Sequence, residues 1–211
     1  LSGETQASLG YWYHQKFDWH AAEITYRRAI ELNSNQSNVY LWLAILLEGK
    51  GEEEEALKIY NKGSSVNPGW DYLIKNKIRC LVNAGQLDEA IRLQLKLIDK
   101  LSGDPELQKD LFSDLARLYW YGSNKTDAIS SALKSGNKGL VKFFHDGDNT
   151  LLLKKVEEKY KNISTSSEYY SQLWMGIDYA DAGAQDKALE CFNNAIALKD
   201  VAVTLILMGH F

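Results

Sequence analysis

Few side chains in this sequence are suited to acid–base, nucleophilic or metal chemistry. The 211 residues contain four histidines and two cysteines, Cys80 and Cys191. No histidine lies in an H-E-x-x-H helix or at a useful spacing from a cysteine, and no glycine-rich phosphate loop is present. Two cysteines are too few for a disulfide framework or a cysteine-rich zinc site. The sequence therefore predicts a non-catalytic protein that holds no metal ion and no cofactor.

One acidic segment deserves comparison with a calcium site. Residues 146–150, with Glu157 behind them, space their oxygen ligands in the manner of an EF-hand loop. Such a loop needs glycine at its sixth position for a sharp turn, and Leu151 stands there. We therefore interpret the segment as a polar turn that caps the next helix.

Charge and hydropathy argue against two further classes of protein, those that bind nucleic acid and those that span a membrane. The chain carries 24 Lys and Arg against 28 Asp and Glu, a net charge of −4. Direct binding of nucleic acid by this segment is not expected, because it requires a basic surface that displaces counterions from phosphates. The apolar stretch Val201–Met208 is less than half the roughly 20 residues that cross a bilayer, so no membrane span is predicted.

An internal repeat organises the sequence. We call the residues at equivalent positions of the repeats a column. The first column is the small residue that begins a small–apolar–small motif, which is strict in three copies and weaker in two. Its members are Ala22, Ala56, Ala90, Ala128 and Ala188. These alanines are 34, 34, 38 and 60 residues apart. A second column, small except at Ile78, keeps the same spacings: Gly10, Ala44, Ile78, Ala116 and Gly176. A third column, which we call the turn column, also keeps these spacings: Phe17, Gly51, Gly85, Ser123 and Gly183.

Each repeat predicts a pair of helices. Apolar residues recur at intervals of three and four, as in Leu43, Leu46 and Leu47, until a glycine or a polar turn breaks the pattern. The small residues at Ala22 and Ala56 allow the two helices of a pair to approach closely. A single pair cannot bury its apolar face alone, so neighbouring pairs must stack and stability becomes a nearest-neighbour sum.

The pattern Leu9-Gly10-x-x-Tyr13, followed by Ala22-x-x-x-Tyr26-x-x-Ala29, resembles the tetratricopeptide repeat, a 34-residue helix–turn–helix unit. Residues 40–68 carry almost the whole signature. The resemblance implies an all-α fold, a right-handed superhelical solenoid of antiparallel helix pairs in a single domain, residues 1–211. The expected units span about 3–36, 37–70, 71–104, 109–142 and 169–202, with a degenerate pair at 143–168 and a C-terminal sealing segment at 203–211. The alternative for that last segment is the start of a further repeat.

The resemblance also implies a protein–protein interaction scaffold. In tetratricopeptide solenoids the first helix of each pair lines a concave groove that holds a peptide or a partner helix. Carried over to this chain, the groove residues are Tyr11, His14, Ile45, Tyr72, Lys75, Asn76, Arg79, Arg117 and Trp120. Cations between aromatic rings suit a peptide with acidic side chains or a carboxylate. The alternative is that these cations pair with Asp110, Asp114 or Glu48 and are merely solvated.

Residues 11–33 show a looser resemblance to C-terminal tetratricopeptide modules of bacterial signalling proteins, which follow winged-helix regulators of the CadC/ToxR type or adenylate-cyclase domains. The alternative function is therefore a sensory module that controls an attached effector domain. The start at Leu1 and the abrupt end at Phe211 indicate a piece of a longer protein. The default compartment is the cytoplasm, and a membrane-anchored regulator would place the segment in the periplasm. Tryptophans in the repeats either pack between pairs or form a homo-oligomer contact: Trp42, Trp70 and Trp174.

Overall fold

A computed structural model describes residues 2–161 and 169–198. The helices in these residues are α1 (Gly3–Gln15), α2 (Trp19–Leu32), α3 (Ser37–Gly49), α4 (Glu53–Val66), α5 (Asp71–Asn83), α6 (Leu87–Lys100), α7 (Pro105–Tyr121), α8 (Lys125–Ser135), α9 (Lys138–Asp146), α10 (Thr150–Tyr160), α11 (Tyr169–Asp181) and α12 (Gln185–Leu198). The described ranges contain no strand, so the all-α fold is confirmed. The predicted sealing segment, residues 203–211, lies outside them.

The chain divides into two compact units, Leu1–Gln94 and Leu95–Phe211. In the first unit α1 packs with α2 and α3 with α4, and successive pairs meet where α2 contacts α3 and α4 contacts α5. In the second unit α7 packs with α8 and α11 with α12, while α9 contacts α8 and α10 contacts α11. Each unit thus contains helix pairs that pack against one another.

The turn column has a left-handed backbone at every repeat. Its φ angles are 61° at Phe17, 74° at Gly51, 72° at Gly85, 58° at Ser123 and 73° at Gly183. This conformation reverses the chain after the first helix of a pair, and the amide of Glu52 then donates to the Leu47 carbonyl oxygen at 2.9 Å. Glycine adopts the left-handed region without steric cost, which accounts for its dominance in this column. The repeat register predicted from the sequence is therefore present in the backbone.

The small columns lie where the helices of a pair meet. Ala22, Ala44 and Ala56 are fully buried. A side-chain carbon added at Gly10 would come within 2.6 Å of the Tyr26 ring, so a larger residue would collide with the helix opposite. The prediction that these columns permit close approach is confirmed.

The segment after the fourth pair contains the two short helices α9 and α10. The amide of Thr150 donates to Asp148 Oδ1 at 3.0 Å, and Asp148 also pairs with Lys142 at 2.8 Å. With these contacts the acidic segment, residues 146–150, forms a polar turn before α10, as expected from the sequence. No group of three His, Cys, Asp or Glu side chains suited to a metal ion occurs within residues 2–161 and 169–198.

A substitution at Gly63 in α4 would test how closely the helices pack at this position. A side-chain carbon there would lie 2.8 Å from Leu73 Cδ1 and 2.9 Å from Tyr40 Cβ. We expect Gly63→Ala to lower the free energy of unfolding by about 2 kcal/mol, because overpacking outweighs the gain in helix propensity. Urea denaturation followed by circular dichroism measures the change. In the control, Gly49→Ala, the added carbon meets only Trp19 at 3.6 Å and should cost nothing; equal losses would contradict this account.

A substitution at Ser123 would test whether the left-handed conformation of the turn is strained. It is exposed and has a φ of 58°, a conformation that costs a residue with a side chain about 1 kcal/mol. Ser123→Gly should therefore raise the melting temperature. The same exchange at Ser130, exposed within α8, should lower it because glycine disfavours a helix. Thermal unfolding compares the two variants, and a destabilising Ser123→Gly would show that the turn is not strained.

Candidate functional site: the first-helix face

Most of the predicted groove residues lie on three neighbouring first helices of unit Leu1–Gln94. These residues are Tyr11 and His14 on α1, Ile45 on α3, and Tyr72, Lys75, Asn76 and Arg79 on α5. Because α1 contacts α3 and α3 contacts α5, we call the surface of these three helices the first-helix face. Arg117 and Trp120 lie on α7 in the other unit, and their convergence with Lys75 and Arg79 stays a prediction.

Tyr72, Lys75 and Arg79 form a stripe along α5, since intervals of three and four residues bring side chains to one side of a helix. Tyr72 is 58% exposed, and the Arg79 side chain is 53% exposed. Lys75 is half-buried. Asn76 is buried, and its side-chain amide donates to the Tyr72 carbonyl oxygen at 2.8 Å. Three of the four predicted α5 residues are therefore accessible, whereas Asn76 is occupied within its own helix.

Arg79 is held by a buried carboxylate from α3. Glu48 is only 4% exposed, and its Oε1 accepts hydrogen bonds from Arg79 Nη2 at 3.2 Å and from the hydroxyl of Tyr60 on α4. Burial, followed by the charge of Glu48, raises the pKa of Tyr60 well above its ordinary value, so the phenol keeps its proton and remains a donor. The pairing of a groove cation with Glu48, given above as the alternative, is present for Arg79. About half of the Arg79 side chain nevertheless stays open to solvent.

Lys75 is the cation of this stripe whose charge is not neutralised. In the part of the chain that the structure describes, no carboxylate lies within ion-pair distance of its ammonium group. It precedes Arg79 by one helical turn and follows the exposed Tyr72 by three residues. The stripe thus combines an aromatic ring, a free positive charge and a neutralised guanidinium with exposed N–H groups.

Cys80 lies beside the Glu48 carboxylate and is a poor nucleophile. Burial, and then the charge of Glu48, raises the pKa of its thiol to about 12. The sulfur faces the Glu53 carbonyl oxygen at 3.7 Å. Because the thiolate is the reactive form, the thiol is nearly inert at neutral pH.

The α1 part of the face is aromatic. Tyr11 is 45% exposed, and the centroid of its ring lies 5.1 Å from that of Trp42 on α3. Ile45 is half-buried on the same helix. His14 Nδ1 lies 3.3 Å from the Tyr26 hydroxyl, and burial lowers the pKa of His14, so the imidazole is neutral at physiological pH. Tyr11 therefore offers contact area, whereas His14 packs inside its own helix pair.

Arg117 and Trp120 are engaged within the second unit. Arg117 Nη1 pairs with Asp114 Oδ1 at 3.4 Å, which is one of the pairings of the alternative. Burial raises the pKa of Asp181 on α11, and the positive charge of Arg117 opposes that rise. The Trp120 ring stacks on Phe144, with centroids 4.7 Å apart and planes 21° apart. Both side chains are thus partly used by contacts within the fold.

Two acidic residues of these clusters were not predicted as site residues. Glu48 occupies a groove position of its repeat and was considered as a counter-ion, and Asp181 was not singled out. Glu48 has a signal that could have found it, because it is the only charged residue of α3, a helix otherwise made largely of apolar side chains. A carboxylate in such a helix must meet a cation or a donor when it is buried.

The chain is similar in sequence to known proteins. A family model described as "Tetratricopeptide repeat" matches residues 25–58. Protein STIP1 homolog of Dictyostelium discoideum is 24% identical over 156 residues, which cover 70% of this chain and 27% of that protein. The chain therefore spans about a quarter of the length of this curated relative.

Solved structures resemble the chain over nearly its whole length. MamA from Desulfovibrio magneticus gives a TM-score of 0.54 at 12% identity, covering 93% of this chain and 94% of MamA. A putative kinesin light chain of Podospora anserina with nearly identical TPR-like repeats gives 0.51 at 15% identity, covering 92% and 93%. At these identities the likeness shows the fold alone. The family model matches one repeat of this chain, and the repeating columns and stacked helix pairs give the chain the fold of tetratricopeptide-repeat proteins.

Proposed function

We propose that this chain is a non-catalytic protein–protein interaction scaffold whose first-helix face holds an extended peptide or a partner helix. The observation that carries the proposal is the accessible stripe of Tyr72, Lys75 and Arg79 on α5, the helix that contacts α3, which in turn contacts α1 with its exposed Tyr11. Exposed aromatic rings beside arginine are typical of the anchors of protein interfaces. The comparisons support a scaffold in general terms, since a tetratricopeptide-repeat model matches residues 25–58 and solved repeat structures share the fold.

The charges of the stripe favour a partner with acidic side chains or a carboxylate. Lys75 supplies a positive charge without a counter-ion in the described chain. Arg79 is held in place by Glu48, so its exposed N–H groups are oriented before a ligand arrives. A donor group fixed in advance loses less conformational entropy on binding. An acidic group close to an apolar or aromatic residue would match Lys75 and Tyr72 together.

The chemistry of the described residues supports a role without catalysis. Cys80 is protonated and buried, and His14 is neutral and packed against Tyr26. None of the helices in the described ranges is long and apolar enough to cross a membrane. The alternative role as a sensory module of a bacterial regulator stays a prediction.

Lys75 is the residue to test by binding. A phage-displayed library of random nonapeptides, selected on the wild-type chain, should become enriched in acidic peptides. Lys75→Glu should weaken binding of these peptides about tenfold, because it replaces an attractive charge by a repulsive one. Tyr72→Ala should weaken the binding of acidic and neutral peptides alike, because it removes contact area.

The control for Lys75 is Lys62→Glu, which makes the same charge change at an exposed position of α4, outside the first-helix face. It should leave the binding of selected peptides nearly unchanged. A selection without acidic enrichment, or equal losses in the two lysine variants, would contradict the assignment of the stripe.

Arg79 is expected to act on stability as well as on binding. Arg79→Ala should lower the free energy of unfolding by about 2 kcal/mol, because it leaves the buried Glu48 carboxylate without its cation. In a Glu48→Gln background the same change should cost much less. A double-mutant cycle in urea measures the coupling, and strictly additive losses would show that the two side chains do not depend on each other.

A further inference from the structure

Two neighbouring cations on α5 have different electrostatic surroundings. Lys75 has no carboxylate within ion-pair distance among the described residues. Arg79 is bound by Glu48 at two atoms, with Nη2 3.2 Å from Oε1 and Nε 3.4 Å from Oε2. Because Glu48 is only 4% exposed, water screens its negative charge weakly. A ligand at Lys75 therefore meets a full positive charge, whereas a ligand at Arg79 meets a nearly neutral pair.

The guanidinium of Arg79 keeps one edge for a ligand. Glu48 occupies the edge formed by Nε and Nη2, and among the described residues no hydrogen bond is made by Nη1. The Arg79 side chain is 53% exposed, so the N–H groups of Nη1 are accessible as donors. A ligand carboxylate there would lose hydration and be repelled by Glu48, which opposes its attraction to the guanidinium. An uncharged oxygen, such as a peptide carbonyl or a side-chain amide, accepts the same hydrogen bonds without that repulsion.

The spacing of the two cations matches that of an extended peptide. Side chains four residues apart on a helix, such as Lys75 and Arg79, have Cβ atoms about 5–6 Å apart. In an extended peptide, side chains two residues apart lie on the same side and are about 6.6 Å apart. A peptide that lies along α5 with an acidic side chain at Lys75 thus places the residue two positions away at Arg79.

We propose that Glu48 determines the specificity of the first-helix face by confining the recognition of negative charge to Lys75. The preferred partner is then an extended peptide with one acidic side chain and an uncharged residue two positions away, rather than a run of acids. This inference rests on the proposed function, because it concerns the same stripe on α5. Glu48 is buried and acts through Arg79, so it is a positioning residue and does not itself contact the partner.

Three synthetic peptides test the proposal by isothermal titration calorimetry. The first is a nonapeptide selected on the wild-type chain, in which the glutamate most important for binding is kept and every other acid is replaced by glutamine. The other two carry a second glutamate, two residues before or two residues after the first. The wild-type chain should bind all three peptides within about twofold. Glu48→Gln should bind one of the two double-acid peptides about tenfold more tightly than the single-acid peptide, because the charge of Arg79 is no longer opposed.

This ratio between peptides is a property of the binding site, and a general loss of stability would not change it. The matched control is Glu54→Gln, which makes the same charge change at an exposed position of α4 and should keep the wild-type ratio. In the double variant Glu48→Gln with Lys75→Gln, the preferred position of a single glutamate should move by two residues.

Two results would overturn the proposal. One is a wild-type chain that binds a double-acid peptide about tenfold more tightly than the single-acid peptide, a comparison that needs no variant to fold. The other is a folded Glu48→Gln chain that keeps the wild-type ratio. Failure of the proposed function gives a different result, since the single-acid peptide would then bind equally well to the wild type and to Lys75→Glu.

Discussion

The stack depends on how closely the two helices of a pair can approach. At Gly10 the helix opposite presents the ring of Tyr26, and the space between them does not admit even a methyl group. The same ring lies 6.0 Å from that of Trp42 in the following pair. One aromatic side chain is thus fixed by the contact within a pair and then contributes to the contact between pairs. Because each repeat relies on its neighbours in this way, a change at a small residue affects more than its own pair.

Polar groups enter this packing at one place that also belongs to the candidate site. Burying Glu48 removes a carboxylate from water, and hydrogen bonds from Arg79 and Tyr60 offset that cost. The arrangement joins α3, α4 and α5 through three side chains. It also fixes the guanidinium at the edge of the first-helix face, where the Arg79 side chain is 53% exposed. Arg79 therefore contributes to the packing of three helices as well as to the proposed binding site, whereas Lys75 has no ion pair in the described residues.

The candidate site was predictable to a more limited extent than the fold. Tyr11, Tyr72 and Arg79 are exposed on first helices, the helices on which repeat position places them, and their role in binding stays a prediction. The same reasoning treated Asn76 as a groove residue, although its amide is bound to the carbonyl of the preceding turn. Repeat position gives the direction of a side chain, but it does not reveal which neighbour that side chain contacts. That choice depends on side chains from other helices, as Glu48 shows for Arg79.

The sequence by itself determined the all-α class, the register of the repeats and the turns. Helix pairing depends on local spacing, and the left-handed turn residue recurs at intervals that can be counted along the chain. Only the tertiary structure decided which charges are neutralised and which histidine is buried. Those properties arise from contacts between residues far apart in sequence, such as Glu48 with Arg79, and from the dielectric environment that burial creates. A repeat pattern specifies where a side chain lies on its helix, whereas its charge state and exposure depend on what packs against it.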